Sequence, residues 1–289
     1  AIHHGDICLS SSQSHVPTED RNFGMVFQSY ALWPHMSVKD NVAYPLKVQR
    51  IPRAEQQKRI KEALEIVQLE AYADRLPAQL SGGQRQRVAL ARSLVTEPEV
   101  VLFDEPLANL DRHLRATMEE TFRAFHQRTG STMVYVTHDQ SEAMSLADKI
   151  AVLDKGQLVQ WDTPQGLYDT PRTPWLADFV GRGAIIMMQG VQPLQPVSGA
   201  EIEKQISVHS TLEPRQPVLV RPQAVHLHQQ ENTGLAAQVE RCIYRGERYD
   251  LSLRLSNGQQ LLTYSDSFLT TGQTVRVSIQ HGWALESAK

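Results

Sequence analysis

Apolar positions along the chain follow one set of periods up to about residue 181 and another beyond it. Ile60, Ala63, Leu64 and Val67 fall at i, i+3, i+4 and i+7 within 54–69, with charges on the opposite face, which predicts an amphipathic helix. Val88, Ala91, Leu94 and Val95 give a second helix a buried face, and Leu114, Met118, Phe122 and Phe125 stripe a third that Gly130 ends. Short apolar runs alternate with these helices: FGMVF at 23–27, VVLF at 100–103 and STMVYVT at 131–137. The first two predict buried strands, VVLF one covered on both faces, and the third predicts the next strand. Before them GDICLS at 5–10 alternates like a strand, and after them IAVLDKGQLVQW at 150–161 predicts a hairpin turning at Lys155-Gly156.

Pro164, Pro171, Pro174 and then Gly181-Arg182-Gly183 mark the exit from this region. Short β-type runs follow at 217–220, 224–228, 235–244, 249–255, 260–264 and 273–279. Tyr249, Leu251, Leu253 and Leu255 alternate with polar residues, and Asn257-Gly258 is a hairpin signal. The pattern predicts two domains, 1–180 and 181–289, the second all-β.

Composition narrows the classes. A hydrophobic content of 41% with 21% charged residues is that of a globular protein. The longest apolar run, AIIMM at 184–188, is strand-sized, so any membrane role is expected to come through a partner. The net charge of −3 argues against an electrostatic nucleic-acid binder; residues 181–289 carry 10 basic and 9 acidic side chains and are nearly neutral. Cys8 and Cys242 imply no disulfide framework and fit a reducing compartment. His226 and His228 share a strand face, but no third metal ligand is in view. A chain opening on Ala1 with no signal peptide in sight is expected to be processed or incomplete.

The chemistry concentrates between Leu80 and Asp111. Ser81-Gly82-Gly83-Gln84 opens a helix, where two glycines let backbone N–H groups approach an anion and the helix dipole favours negative charge. Asp104 and Glu105 close a buried strand, an expensive place for two carboxylates unless a metal, a water or a proton transfer uses them. Together they suggest half of a phosphate-handling site with a metal-and-base pair.

LSGGQ at 80–84, VVLFDEP at 100–106, Ala108-Asn109-Leu110-Asp111 and VTHD at 136–139 resemble the signature, Walker B, D-loop and switch-histidine motifs of the nucleotide-binding subunit of an ABC transporter. FQSYALWPHMSVKDNVAYPLK at 27–47 is similar to importer subunits of the sugar, polyamine, sulfate and ferric-ion group, leaning towards ferric ion or phosphonate. VRPQAV at 220–225 resembles the TOBE domain that follows the core in that group. The resemblance implies an α/β, RecA-like P-loop NTPase core with a helical subdomain at about 29–95, then a small OB/TOBE-like barrel. It implies ATP and Mg²⁺ as cofactors and a head-to-tail homodimer. The subunits would sit peripherally on the cytoplasmic face of the inner (plasma) membrane through permease subunits, served indirectly by an external solute-binding protein.

By the same resemblance Ser81, Gly82, Gly83 and Gln84 contact the nucleotide held by the partner subunit, and Asp111 ties the two sites together. Asp104 acts on Mg²⁺, Glu105 polarises the attacking water, His138 contacts the γ-phosphate and Gln28 reaches the metal and water. Tyr30, Leu32, Trp33, Pro34 and Met36 would suit a groove for the permease, or simply core. A side chain at Gly83 is expected to block the phosphate and leave the fold intact, since a turn at a helix start tolerates Asp.

One motif is not present in these residues. A P-loop needs G-x-x-x-x-G-K-[ST], and no lysine of the 289 residues follows a glycine. The expectation is a truncated core, an ABC-type ATPase by family that turns over ATP negligibly by itself. The alternative is a catalytically impaired binding or regulatory partner that donates its signature face to an intact subunit.

Overall fold

A computed structural model describes residues 1–108, 110, 112–207, 215–228 and 234–287. The chain divides into two compact units, Ala1–Ala147 and Asp148–Lys289.

In the first unit β1 (Ile2–His4) and β2 (Ile7–Ser10) form an antiparallel hairpin, followed by β3 (Phe23–Val26). Three helices come next, α1 (Val38–Val48), α2 (Arg53–Ile66) and α3 (Gly82–Leu94). Then follow β4 (Val100–Asp104), α4 (Arg112–Thr129), β5 (Thr132–Val136) and α5 (Gln140–Leu146). The strands β3, β4 and β5 lie parallel in that order, with Val26, Phe103 and Tyr135 in register. All three strands therefore end on one edge, where an open parallel sheet collects its ligand-binding groups.

The helical stripes are buried as their spacing predicts. Ile60, Ala63, Leu64 and Val67 pack with Val88, Ala91, Leu94, Met118, Phe122 and Phe125 in one core. Tyr30 and Leu32 pack against its margin, and Asn41 accepts from the Trp33 amide at 2.9 Å. The strands depart from expectation on one side. Val26, Val101 and Phe103 are buried against the helices, but Met25 of β3, Phe27 just past it, and Val134 and Val136 of β5 are exposed, and Leu102 of β4 is half-buried. An apolar run records how oily a strand is, not whether both its faces have found cover.

The second unit opens with the predicted hairpin, β6 (Ile150–Asp154) and β7 (Gln157–Asp162), turning at Lys155-Gly156, both in left-handed backbone. Two short helices, α6 (Pro164–Asp169) and α7 (Pro174–Val180), each start with a capping threonine before a proline. The β-rich remainder holds β8 (Ala184–Met188), β9 (Pro196–Ser198), β10 (Gln216–Val220), β11 (Val225–His228) and β12 (Leu235–Tyr244). After them come β13 (Tyr249–Leu255), β14 (Gln260–Ser265), β15 (Thr274–Ile279) and β16 (His281–Ala284). Two antiparallel sheets, ordered β8-β10-β16-β9 and β11-β15-β12-β13-β14, share one apolar core.

One helix, α8 (Gly199–Ser207), accompanies the strands, capped by Ser198 Oγ on the Glu201 amide and anchored by Ile202 and Ile206. Residues 148–180 lie in the second compact unit. Buried Arg221 binds the carbonyls of Tyr168 and Ala177 and so ties α6 and α7 to β10.

Candidate functional site

The anion-facing half of the site starts at the first turn of α3. Ser81 Oγ accepts from the Gln84 amide at 3.3 Å, and Gln84 Oε1 accepts from the Ser81 amide at 2.9 Å. This reciprocal box fixes the chain's entry into the helix. The first i→i−4 bond runs from the Arg85 amide to the Ser81 carbonyl at 2.9 Å, so the amides of Gly82 and Gly83 precede the helical ladder. A helix start with two such amides suits an oxyanion.

The two glycines are not equivalent. A Cβ on Gly82 would meet only Tyr30 Oη, 4.0 Å away, whereas one on Gly83 would fall 2.4–2.8 Å from three side-chain atoms of Leu114. Gly83 is buried under α4, so the expectation that a side chain there leaves the fold intact is corrected. The GG pair alone could not distinguish the open position from the packed one.

The other candidate residues lie along the carboxyl edge of β3–β4–β5. Gln28 is exposed two residues beyond Val26, Asp104 is exposed at the end of β4, and His138 is exposed past β5. Glu105 takes a left-handed φ of 44°, fixed by its amide donating to the Val136 carbonyl at 3.0 Å. Its Oε2 lies 3.3 Å from His138 Nδ1. The structure thus brings Glu105 and His138 together, with Gln28 and Asp104 on the same sheet edge and the α3 turn in the same unit. Asp111 lies outside the described residues.

Asp104 and Gln28 offer oxygen donors in open space, which fits Mg²⁺ held mainly by phosphate oxygens and water. Among the described residues no group of three or more His, Cys, Asp or Glu is placed to hold a metal without such help.

Three residues that motif reading missed hold these groups in place. Arg92, in the middle of α3 and buried, donates to the carbonyls of Ala31 at 2.6 Å and Tyr30 at 3.1 Å. Both acceptor residues have positive φ, 46° and 62°, so the arginine secures a strained turn directly after Gln28. Burial pulls its guanidinium below the usual arginine range. On α4, Arg115 bonds Asp139 and lies 3.5 Å from Glu142. Glu142 is 2% exposed and accepts from Tyr135 Oη at 3.1 Å and Thr137 Oγ1 at 2.8 Å.

Burial, reinforced by the Glu142 charge, pushes the Tyr135 phenol far up, so it stays a donor. Burial alone would raise Asp139 too, but the Ser141 and Glu142 amides and Arg115 outweigh it and hold the carboxyl below its usual range. These groups clamp both sides of His138. The sequence signal was there: a charged residue inside an apolar helical face demands a partner.

The family model described as ABC transporter matches residues 3–108, and that described as TOBE domain matches 218–285. The Fe(3+) ions import ATP-binding protein FbpC of Vibrio cholerae serotype O1 is 41% identical over 270 residues, covering 92% of this chain and 75% of its own. Among solved structures, cbiO1 from Clostridium perfringens, part of the ABC transporter complex cbiONQ, is 30% identical. It aligns with a TM-score of 0.48 over 50% of this chain and 58% of its own.

Proposed function

Because the chain belongs to the family of ABC transporter ATP-binding proteins with a C-terminal TOBE domain, we propose that it energises solute import, with ferric ion as the solute. The observation that carries the site assignment is the convergence of Gln28, Asp104, Glu105 and His138 on one sheet edge, with Glu105 and His138 3.3 Å apart. On this reading Glu105 orients the attacking water, His138 contacts the terminal phosphate, and Asp104 and Gln28 hold Mg²⁺ through oxygen. The metal supplies charge neutralisation on the phosphates when bound. Ser81 and the amides of Gly82 and Gly83 face the phosphate of a second subunit, Gln84 holds that turn by its capping bond, and Asp111 lies between the two sites.

Two such subunits pair head to tail on permease subunits, at the cytoplasmic face of the membrane, and receive solute indirectly from an external binding protein. No helix among the described residues is long and apolar enough to cross a membrane; on this reading attachment runs through the permease. The domain assignment is 1–180 for the ATPase part, with its helical subdomain at about 29–95, and 181–289 for the TOBE part.

Phosphoryl transfer depends mostly on positioning and electrostatics, so a cradle for the β- and γ-phosphates is indispensable. These 289 residues hold no Gly-Lys pair to build one. On this reading the 289 residues by themselves release phosphate negligibly, and their signature face can complete the site of a subunit that carries a P-loop. Phosphate release is the test, from the purified chain alone and mixed with a P-loop subunit whose own signature is damaged. Turnover should appear only in the mixture. Full turnover by the chain alone, or none in the mixture, overturns the reading.

A further inference from the structure

The second unit carries a charge cluster that ATP chemistry does not use. Asp250 stands in β13 opposite Ile243 of β12 and Tyr264 of β14, and its side chain is 8% exposed. Three guanidinium groups crowd onto this one carboxylate. Arg182 Nη1 and Arg245 Nε both bond Oδ2, the latter at 3.0 Å, while Arg248 Nε lies 3.8 Å from Oδ1. Arg248 also lies over the Tyr264 ring, 3.5 Å from its centroid. The three side chains are about half exposed, at 48%, 58% and 49%.

The cluster is built from two separate segments. Arg245 and Arg248 flank the β12–β13 turn, whereas Arg182 comes from the Gly181-Arg182-Gly183 stretch after α7. That stretch is fixed from below. Buried Arg221 donates to the carbonyls of Gly181 at 2.7 Å and Arg182 at 3.1 Å. A Cβ on Gly181 would meet Tyr168 at 2.7 Å, and one on Gly183 would meet Leu219 at 2.5 Å, so a side chain at either position would have to push its neighbour aside. Backbone and counter-ion together hold Arg182 against the other two.

One carboxylate cannot neutralise three guanidinium groups. The cluster keeps two uncompensated positive charges, and each fork of N–H donors is only partly spent on Asp250. Asp250, 8% exposed, needs a partner, but one guanidinium meets that need, and each further arginine adds repulsion among the cations. Glu247, in the same turn, is exposed and makes none of the ion pairs seen among the described residues. Guanidinium forks match tetrahedral oxyanions bidentately, and the charge excess matches a doubly negative one. We propose that Arg182, Arg245 and Arg248, preset around Asp250, bind a phosphate-type dianion on the second unit, separate from the nucleotide.

Titration calorimetry of the whole chain with sodium pyrophosphate and with inorganic phosphate tests this. Saturable one-to-one binding is expected, weakened at least about tenfold in R245Q/R248Q, consistent with loss of charge-assisted hydrogen bonds. R182K keeps the charge but loses the fork, and it should weaken binding with the fold unchanged by circular dichroism. G82D, which repels anions from the α3 turn, and R254Q, whose partner is Glu240 in a simple pair, should leave the binding as it is. Four results would overturn the proposal: no saturable binding, equal weakening by R254Q, loss in G82D alone, or capture by phosphatidylglycerol vesicles in place of the soluble anions.

Discussion

His138 Nδ1 lies 3.3 Å from Glu105 Oε2, across the carboxyl ends of two adjacent parallel strands. The carboxylate is one-third exposed and the imidazole 72% exposed, so the pair is reachable by a ligand while its geometry is set by the sheet. Glu105 cannot drift, because its left-handed turn is held by the Val136 carbonyl.

If Glu105 orients the attacking water, Glu105→Gln in the chain supplied with a P-loop segment should keep ATP binding and lose turnover. The expected fall is about 10²–10⁴-fold, the usual size of a general-base contribution. Nucleotide binding and phosphate release, measured on the same sample, separate the two effects. Activity within a few-fold of the parent would remove Glu105 from that role.

Arg92 offers a prediction about the turn after Gln28. Arg92→Ala deletes two charge-assisted bonds to the carbonyls of Tyr30 and Ala31 and should cost about 2–3 kcal/mol in urea unfolding. Amides of residues 30–33 should exchange faster with solvent. Arg92→Lys should recover little of the loss, since a compact ammonium does not reproduce the planar fork that spans both acceptors. Full recovery by lysine would mean that charge alone matters there.

What the sequence disclosed follows from which forces are local. Periodicity found α2, α3 and α4 because their buried stripes are written at fixed spacing, and Lys155-Gly156 announced its own turn. Gln28, Glu105 and His138 could be read as lying just past strand ends, because each follows an apolar run. Arg92, Arg115 and Glu142 escaped for the opposite reason: their partners sit 61 and 62, 24 and 27, or 5 and 7 residues away, and only the fold brings them together. Met25 was misjudged similarly, since hydrophobicity reports a preference for cover and not its supply.

Asp139 gives a pH prediction with a definite sign. Its folded carboxyl is held below the ordinary value, about 3.9 in an unfolded chain. Its contribution to stability is therefore present above that value and disappears as pH falls through the folded pKa. Thermal melts of Asp139→Asn and the parent should differ at pH 6, and the gap should narrow steadily below about pH 3.9. A gap unchanged down to pH 2 would show that Asp139 acts only as a neutral cap.

The signature glycines permit a sharper experiment than either alone. A methyl on Gly83 would sit 2.4 Å from Leu114 Cδ2, so Gly83→Ala should destabilise the unit by roughly 1–3 kcal/mol through overpacking, before any nucleotide is present. Leu114→Ala removes every side-chain atom in the way, so the double variant should be more stable than the two single losses predict, by about 1 kcal/mol. Gly82→Asp meets no such obstacle and places a carboxylate at a helix start, where the dipole favours it, so its melting temperature should hold or rise. If the turn meets a phosphate, that same charge should abolish ATP-dependent pairing with a subunit that has an intact P-loop and a damaged signature. Gly82→Asp would then separate phosphate contact from packing, which Gly83 cannot do. Pairing unaffected by Gly82→Asp would leave the LSGGQ turn as a helix cap packed on Leu114 and nothing more.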